Sequence, residues 1–256
     1  MLLPNQRREK IIDLLREDGS AKVAELASIF KVTDVTIRQD LEKLEQKGLI
    51  IKEHGGAFLK NAQDSVQKIE LMNKDHMELK SLIGKHCLSY IEDGDTIILD
   101  SGSTTTEIAK QLSGFHNLTV ITNALNIALI LGSRPGIEVI MTGGEFKPPT
   151  LSLTGQKAAE FFKGLYVNKL FLATAGISLK SGLTYPSISD LVVKKAMIDA
   201  AEYTYLVADS SKVGKSSLAS LGAVGLVDYV VTDYLISKED QKHLIENDIK
   251  LVVVDK

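Results

Sequence analysis

The chain has 256 residues, 44% hydrophobic and 25% charged, which suits one large domain or two modest ones and excludes a wholly disordered chain. Its 30 basic and 33 acidic side chains leave a formal charge of −3, so no global basic field announces a nucleic-acid partner, and any such function must come from a local surface. No apolar run approaches the roughly 18 residues of a membrane span, and the start lacks a secretion signal. One cysteine, Cys87, and five scattered histidines exclude an internal disulfide and a thiolate metal cluster. A cytoplasmic protein without membrane association, metal or cofactor is expected.

Residues 6–17 read as a helix with Ile11, Ile12, Leu14 and Leu15 on its apolar side, closed by Gly19-Ser20. A second short helix is expected over 21–30, with Val23, Leu26, Ala27 and Phe30 at helical spacing. A third runs over 34–46, capped by Thr33, with Val35, Ile37, Leu41 and Leu44 supplying core contacts. Leu49-Ile50-Ile51, followed by His54-Gly55-Gly56, reads as a short strand entering a glycine turn. A polar connector follows, and helix resumes over 75–90. Beyond Gly94 the rhythm changes to short apolar runs at 96–99, 118–121, 137–140, 169–172, 205–208, 229–231 and 251–254, mostly separated by helical patterns. That alternation predicts an α/β fold with a mainly parallel sheet.

Helix, tight turn, helix is the geometry that sets a recognition helix in the major groove. In the third helix Thr33, Thr36, Arg38, Gln39 and Lys43 do not fit the apolar stripe. The two threonines could donate to phosphate or base edges, Arg38 suits guanine or phosphate, and Gln39 has the donor and acceptor that adenine matches. Lys52, His54 and Gly55 could bring a wing to the sugar-phosphate backbone. The same polar residues would also suit an ordinary solvated helix face.

The sharpest local chemistry is Thr96-Ile97-Ile98-Leu99-Asp100-Ser101-Gly102-Ser103-Thr104-Thr105-Thr106, a strand ending at Asp100 that feeds a hydroxyl-rich glycine turn and a helix over 107–112. Free backbone amides at a helix start, together with these hydroxyls, form an anion cradle without lysine, although Ser and Thr are favoured as plain helix caps. Thr122-Asn123, Gly143-Gly144, Thr174-Ala175-Gly176 and Asp209-Ser210-Ser211-Lys212 each follow a later strand. Ligands of open α/β sheets collect at such strand ends.

The run Val35-Thr36-Ile37-Arg38-Gln39-Asp40-Leu41-Glu42-Lys43-Leu44-Glu45-Gln46-Lys47-Gly48-Leu49-Ile50, with His54-Gly55-Gly56-Ala57, resembles the winged helix-turn-helix signature of the DeoR family of bacterial transcriptional regulators. Asp100-Ser101-Gly102-Ser103-Thr104-Thr105, Thr122-Asn123, Thr142-Gly143-Gly144, Gly176, Lys194 and Asp209-Ser210-Ser211-Lys212 resemble that family's sensor domain, similar in fold to ribose-5-phosphate isomerase. The resemblance implies a winged helix-turn-helix domain over 1–58, a linker over 59–73, and a Rossmann-like α/β sensing and oligomerisation domain over 74–256. It implies operator-DNA contacts from Thr36, Arg38 and their neighbours. It also implies that residues 101–105 (Ser101, Gly102, Ser103, Thr104 and Thr105) hold the phosphate of a sugar or sugar alcohol, while Asp100, Asn123, Gly144 and Lys212 reach its remaining groups. The chain departs from the family at Gln39, usually basic, at Asn168, often Asp, and at Asp190, often Glu.

The function so implied is a repressor of a carbohydrate-utilisation operon, acting as a homodimer or homotetramer and relieved by its effector. A sugar-phosphate isomerase-like enzyme is one alternative. It needs a general base over the sugar, and Thr174-Ala175-Gly176-Ile177-Ser178 after the fourth strand holds no acid, so no catalytic residue is assigned. An architectural DNA-binding protein with a merely structural α/β domain is the other.

Overall fold

A computed structural model describes residues 3–18, 20–53, 55–59, 76–148 and 150–256. The chain forms two compact units, Met1–Met72 with Lys147–Thr150, and Asn73–Phe146 with Leu151–Lys256.

The first unit contains α1 (Pro4–Asp18), β1 (Ser20–Lys22), α2 (Val23–Phe30), α3 (Asp34–Gln46), β2 (Ile50–Glu53) and β3 (Gly56–Leu59). Ile11, Leu15, Leu26, Ile37, Leu41 and Ile50 are essentially inaccessible and form its core. Two expectations need correction here. Residues 21 and 22 are not helical: they belong to β1, which pairs antiparallel with β3 in a sheet ordered β1-β3-β2. Gly56 permits that pairing, because a Cβ there would lie 2.7 Å from the Ala21 carbonyl oxygen. Nor is Val35 a core residue, since it is 64% exposed. Gly19, His54 and residues 60–75 lie outside the described residues, and with them most of the expected 59–73 connector; Leu59 ends β3.

Asp40 sits on the inner side of α3 and is buried. Arg7 Nε donates to its Oδ2 at 2.5 Å and Arg8 Nη1 to its Oδ1 at 3.2 Å. A carboxylate this buried is tolerated because two guanidinium groups neutralise and hydrogen-bond it. The ion triad ties the start of α1 to the middle of α3.

In the second unit, β4 (Thr96–Leu99), β5 (Leu118–Thr122), β6 (Ile137–Met141), β9 (Val167–Leu172), β12 (Ala201–Val207), β14 (Tyr229–Asp233) and β15 (Lys250–Val254) form one parallel sheet ordered β15-β14-β12-β9-β4-β5-β6. Each of the seven expected apolar runs lies within or overlaps one of these strands. Alternation sorts their side chains. Ile98, Leu170, Leu172, Leu206 and Val230 face α7 (Gln156–Glu160) and α8 (Leu191–Ala200) through Ala158, Val193 and Met197. Ile97, Leu99, Val120, Phe171 and Val207 face α4 (Met77–Cys87), α5 (Ser103–Gln111) and α6 (Leu125–Leu131) through Ile83, Ile108 and Ile127. A last helix, α9 (Lys238–Glu246), adds Leu244 to the first face.

Two smaller sheets accompany the main one: β7 (Glu145–Lys147) with β8 (Ser152–Thr154), and antiparallel β10 (Gly176–Ser178), β11 (Gly182–Tyr185) and β13 (Ala219–Gly222). The helix expected over 75–90 is α4 followed by a 3-10 turn over Leu88–Tyr90.

The sheet order positions the site. From β4 the chain steps outward to β5 and β6. It then returns to β9 on the other side of β4 and steps outward again through β12, β14 and β15. The connections therefore diverge between β4 and β9, and the carboxyl ends of these two strands form the topological switch point at which open α/β sheets bind ligands.

Candidate functional site

On α3, Ile37, Asp40, Leu41 and Leu44 face inward, and at 100° per residue the opposite face carries Val35, Arg38, Gln39, Glu42 and Gln46, with Lys43 at its edge. Arg38, Gln39 and Lys43 are exposed. Thr33 caps α3, as its place before the helix suggests, and Thr36 joins it. Thr33 Oγ1 accepts from the Thr36 amide at 3.3 Å, and the two hydroxyl oxygens are 3.0 Å apart. The pair caps α3, leaving one of its two hydroxyl hydrogens for an outside acceptor.

Lys52 is also engaged. Its Nζ lies 3.2 Å from Glu45 Oε2 and its amide donates to Glu45 Oε1 at 3.0 Å, and these bonds hold the Glu45 carboxyl below its ordinary range. A DNA phosphate would have to compete with Glu45 for Lys52. Gly55 is exposed at φ 83°, with open space where a side chain would stand, and its carbonyl accepts from the Val23 amide at 2.8 Å. His54 lies outside the described residues.

In the second unit, all five expected clusters stand at carboxyl ends of strands of the parallel sheet. Asp100, just beyond β4, is fully buried. Lys194 of α8 donates to its Oδ1 at 2.9 Å and its Oδ2 at 2.7 Å, and the Ala173 amide donates to Oδ2 at 3.1 Å. Lys194 also lies over the Tyr185 ring, 4.7 Å from its centroid, and the Tyr185 hydroxyl donates to the Ala173 carbonyl at 2.9 Å. The carboxylate of Asp100, expected as a ligand contact, here ties the end of β4 to the end of β9 and to Lys194. Sequence reasoning assigned Lys194 no role. The available signal was a lysine on the apolar side of α8 beside Val193 and Met197, where burial requires an acidic partner.

Helix α5 begins at Ser103, four residues earlier than expected. The hydroxyl residues 103–106 are thus its first turn rather than a loop before it. Thr105 Oγ1 donates to the Asp100 carbonyl at 2.6 Å and Thr106 Oγ1 to the Gly102 carbonyl at 2.6 Å, so neither hydroxyl projects as an anion donor. The group that Thr105 can offer an anion in this arrangement is its amide. The first helical bond runs from the Thr106 amide to the Gly102 carbonyl at 3.0 Å, so the amides of Ser103, Thr104 and Thr105 precede the ladder. Three such amides at the positive end of a helix, flanked by half-buried Ser101, Gly102 and Ser103, attract an anion.

At carboxyl ends of the parallel strands, four buried side-chain oxygens lack hydrogen-bond partners among the described residues: Asn123 Oδ1 after β5, Thr142 Oγ1 after β6, Asp209 Oδ2 after β12 and Thr232 Oγ1 near the end of β14. Buried polar atoms are ordinarily paired, so these four mark the strand ends as a layer of unsatisfied polar groups, each closed off from solvent. Asn123 is held in place by its own amide, which donates to the Leu153 carbonyl at 3.1 Å. Lys212, on a 3-10 turn over Ser210–Lys212 that is anchored by the Ser210 amide on Asp233 Oδ2 at 2.7 Å, makes no ion pair among the described residues. Gly144 is required on packing grounds alone: φ is 132° and a Cβ would lie 2.6 Å from the Thr154 carbonyl oxygen. Asn168 accepts from the Thr96 amide at 2.8 Å and so serves the sheet. Among the described residues no group of three or more metal-ligating side chains occurs, and no helix is long and apolar enough to cross a membrane.

The family model for the DeoR-like helix-turn-helix domain matches residues 7–63, and that for the DeoR C terminal sensor domain matches residues 75–234. An uncharacterized HTH-type transcriptional regulator of Bacillus subtilis, YulB, is 33% identical over 255 residues, covering 99% of this chain and 98% of its own length. The HTH-type transcriptional repressor GlcR of the same organism is 32% identical over 250 residues, covering 98% of this chain and 96% of its own. Among solved structures, ribose 5-phosphate isomerase A of Methanocaldococcus jannaschii is similar over 54% of this chain and 55% of its own, at a TM-score of 0.40 and 14% identity, too weak a likeness to bear on function.

Proposed function

Because the chain belongs to the DeoR family, and is therefore a DNA-binding transcriptional regulator and not an enzyme, we propose that it represses a carbohydrate-utilisation operon until a phosphorylated sugar or sugar alcohol binds at the β4–β9 switch point. One observation supports this reading: the free first-turn amides of α5 stand at the topological switch point, in a ring of strand ends that also bears Lys212 and buried oxygens without partners. The amides and Lys212 suit a phosphate, and Asn123, Thr142 and Asp209 suit the hydroxyls of the carbohydrate. Operator DNA is read by Arg38, Gln39 and Lys43 on the outer face of α3, with the β2–β3 hairpin at the backbone.

A homodimer or homotetramer fits such a reader, since paired winged modules engage half-sites about 34–36 Å apart or at multiples of that spacing. Relief of repression requires the effector to bind the DNA-free state more tightly than the DNA-bound one, and DNA must weaken effector binding by the same factor. Thermal-shift screening of phosphorylated sugars, each beside its unphosphorylated parent, tests the reading. A phosphorylated hit that stabilises the protein and releases bound DNA supports it. Equal stabilisation by the unphosphorylated sugar, or a hit without effect on DNA binding, would overturn it.

A further inference from the structure

Val35 presents an isopropyl group where folding gives no reason for one. It is the second residue of α3, 64% exposed, on the face opposite Ile37, Leu41 and Leu44. One helical turn further along the same face come only polar side chains, Arg38 and Gln39, both exposed. β-Branching lowers helix propensity, and an exposed isopropyl contributes no burial energy, so neither propensity nor packing accounts for it. The neighbouring polar groups, Thr33 and Thr36, are engaged with each other as the helix cap. Beside that cap, with its one spare hydroxyl hydrogen, Val35 is the exposed apolar side chain at the amino end of α3. By contrast Ile51 and Phe58, also partly exposed in this unit, face one another across the β2–β3 hairpin.

We propose that Val35 is a specificity-determining residue that reads the C5-methyl group of a thymine in each operator half-site. The inference rests on α3 being the DNA-reading helix. In the major groove the thymine methyl is the one apolar feature of the base edges, and the amino-terminal residues of a recognition helix approach those edges most closely. An aliphatic side chain there gains by excluding water from the methyl and gains nothing at cytosine, whose corresponding edge offers an amino donor. Arg38 and Gln39, one turn on along the same face, then read adjacent bases by hydrogen bonds. The expected half-site thus combines a thymine with nearby guanine or adenine.

The probe is a duplex enriched from a randomised library by the full-length protein, in which each thymine is replaced in turn by deoxyuridine, which lacks only the methyl. Wild type should lose about three- to tenfold in affinity at one thymine per half-site, the scale of burying one methyl or two. Val35→Ser should bind the parent duplex more weakly and take thymine and uracil equally, whereas Val35→Ile should keep the discrimination. Both variants should melt as the wild type does, because the site is exposed. Indifference of the wild type at every thymine, or retained discrimination in Val35→Ser, overturns the proposal while leaving α3 as the reader. Selection that enriches no sequence, or enrichment unaffected by Arg38→Ala, overturns the DNA-reading role of α3 and the proposal with it.

Discussion

Substituting alanine for Gly102 probes the β4–β9 junction with a single methyl group. Gly102 adopts φ −177° and ψ 163°, extended backbone open to any residue, so alanine introduces no conformational strain. The obstacle is contact: the new Cβ would come within 3.0 Å of Ala173 Cβ, closer than real Cβ atoms approach. Ala173 cannot yield freely, because its amide is bonded to Asp100 Oδ2 and its carbonyl accepts from the Tyr185 hydroxyl. Overpacking of this kind costs about 1–3 kcal/mol, against about 0.4–1 kcal/mol gained from a stiffer unfolded chain. The net of about 1–2 kcal/mol should lower the melting temperature of the second unit by about 2–8 °C, taking about 2–4 °C per kcal/mol for a unit of this size. Calorimetry of Gly102→Ala and of the double variant Gly102→Ala/Ala173→Gly measures the effect. Removing the opposing methyl should restore most of the loss, and phosphate affinity should fall in the single variant and recover in the double one. A single variant as stable as the wild type, or a double variant showing no coupling, would refute the picture of a junction fixed by Asp100, Lys194 and Tyr185.

Asp40→Ala leaves Arg7 buried without its carboxylate, which should destabilise the first unit by about 3–5 kcal/mol and abolish its melting transition while the second unit's remains, as differential scanning calorimetry would show. Ser103→Asp places a negative charge among the first-turn amides of α5. Two charges 4 Å apart repel by about 4 kcal/mol at an effective dielectric constant of 20, so titration calorimetry with a sugar-phosphate hit should show affinity reduced by at least about tenfold while gel-shift affinity for DNA is kept. Tyr205 is stacked between Tyr90 and Tyr229, and burial, followed by the charges of those neighbours, pushes its hydroxyl up to about 12. Its unfolded counterpart ionises near 10, so its contribution to stability is intact below pH 10 and is lost as pH rises through 12; urea midpoints should fall over that window more steeply in wild type than in Tyr205→Phe.

The sequence made the main sheet legible because its strands are buried on both faces and read as short apolar runs, such as Ile97-Ile98-Leu99 and Leu170-Phe171-Leu172. Strand β1 was not legible. Ser20-Ala21-Lys22 has no alternating pattern, and its pairing depends on a partner more than thirty residues away whose glycine permits close approach. Val35 read as core because it is apolar and next to Thr36 and Ile37 in a periodic segment; exposure of one position on an otherwise correctly phased helix is a tertiary fact. In the site, the clustering of polar residues at strand ends was legible from spacing. The division of labour was not, because an aspartate that meets a ligand and one that meets a buried lysine 94 residues away look alike in a sequence. The threonines of α5 posed the same ambiguity, since a hydroxyl can turn toward an anion or back onto its own helix.

Arg7 and Arg8 are closed around Asp40 and Lys52 is paired with Glu45, so three of the ten basic side chains in the first 56 residues already have internal counter-charges. Affinity for DNA falls with salt by a log–log slope of about −0.9 for each phosphate neutralised, and the cations left for that role on α3 are few. Binding to random sequence should accordingly be weak and only shallowly dependent on ionic strength. A regulator with so shallow a salt dependence would spend little time detained on the bulk of the chromosome, and its residence at an operator would depend chiefly on base edges.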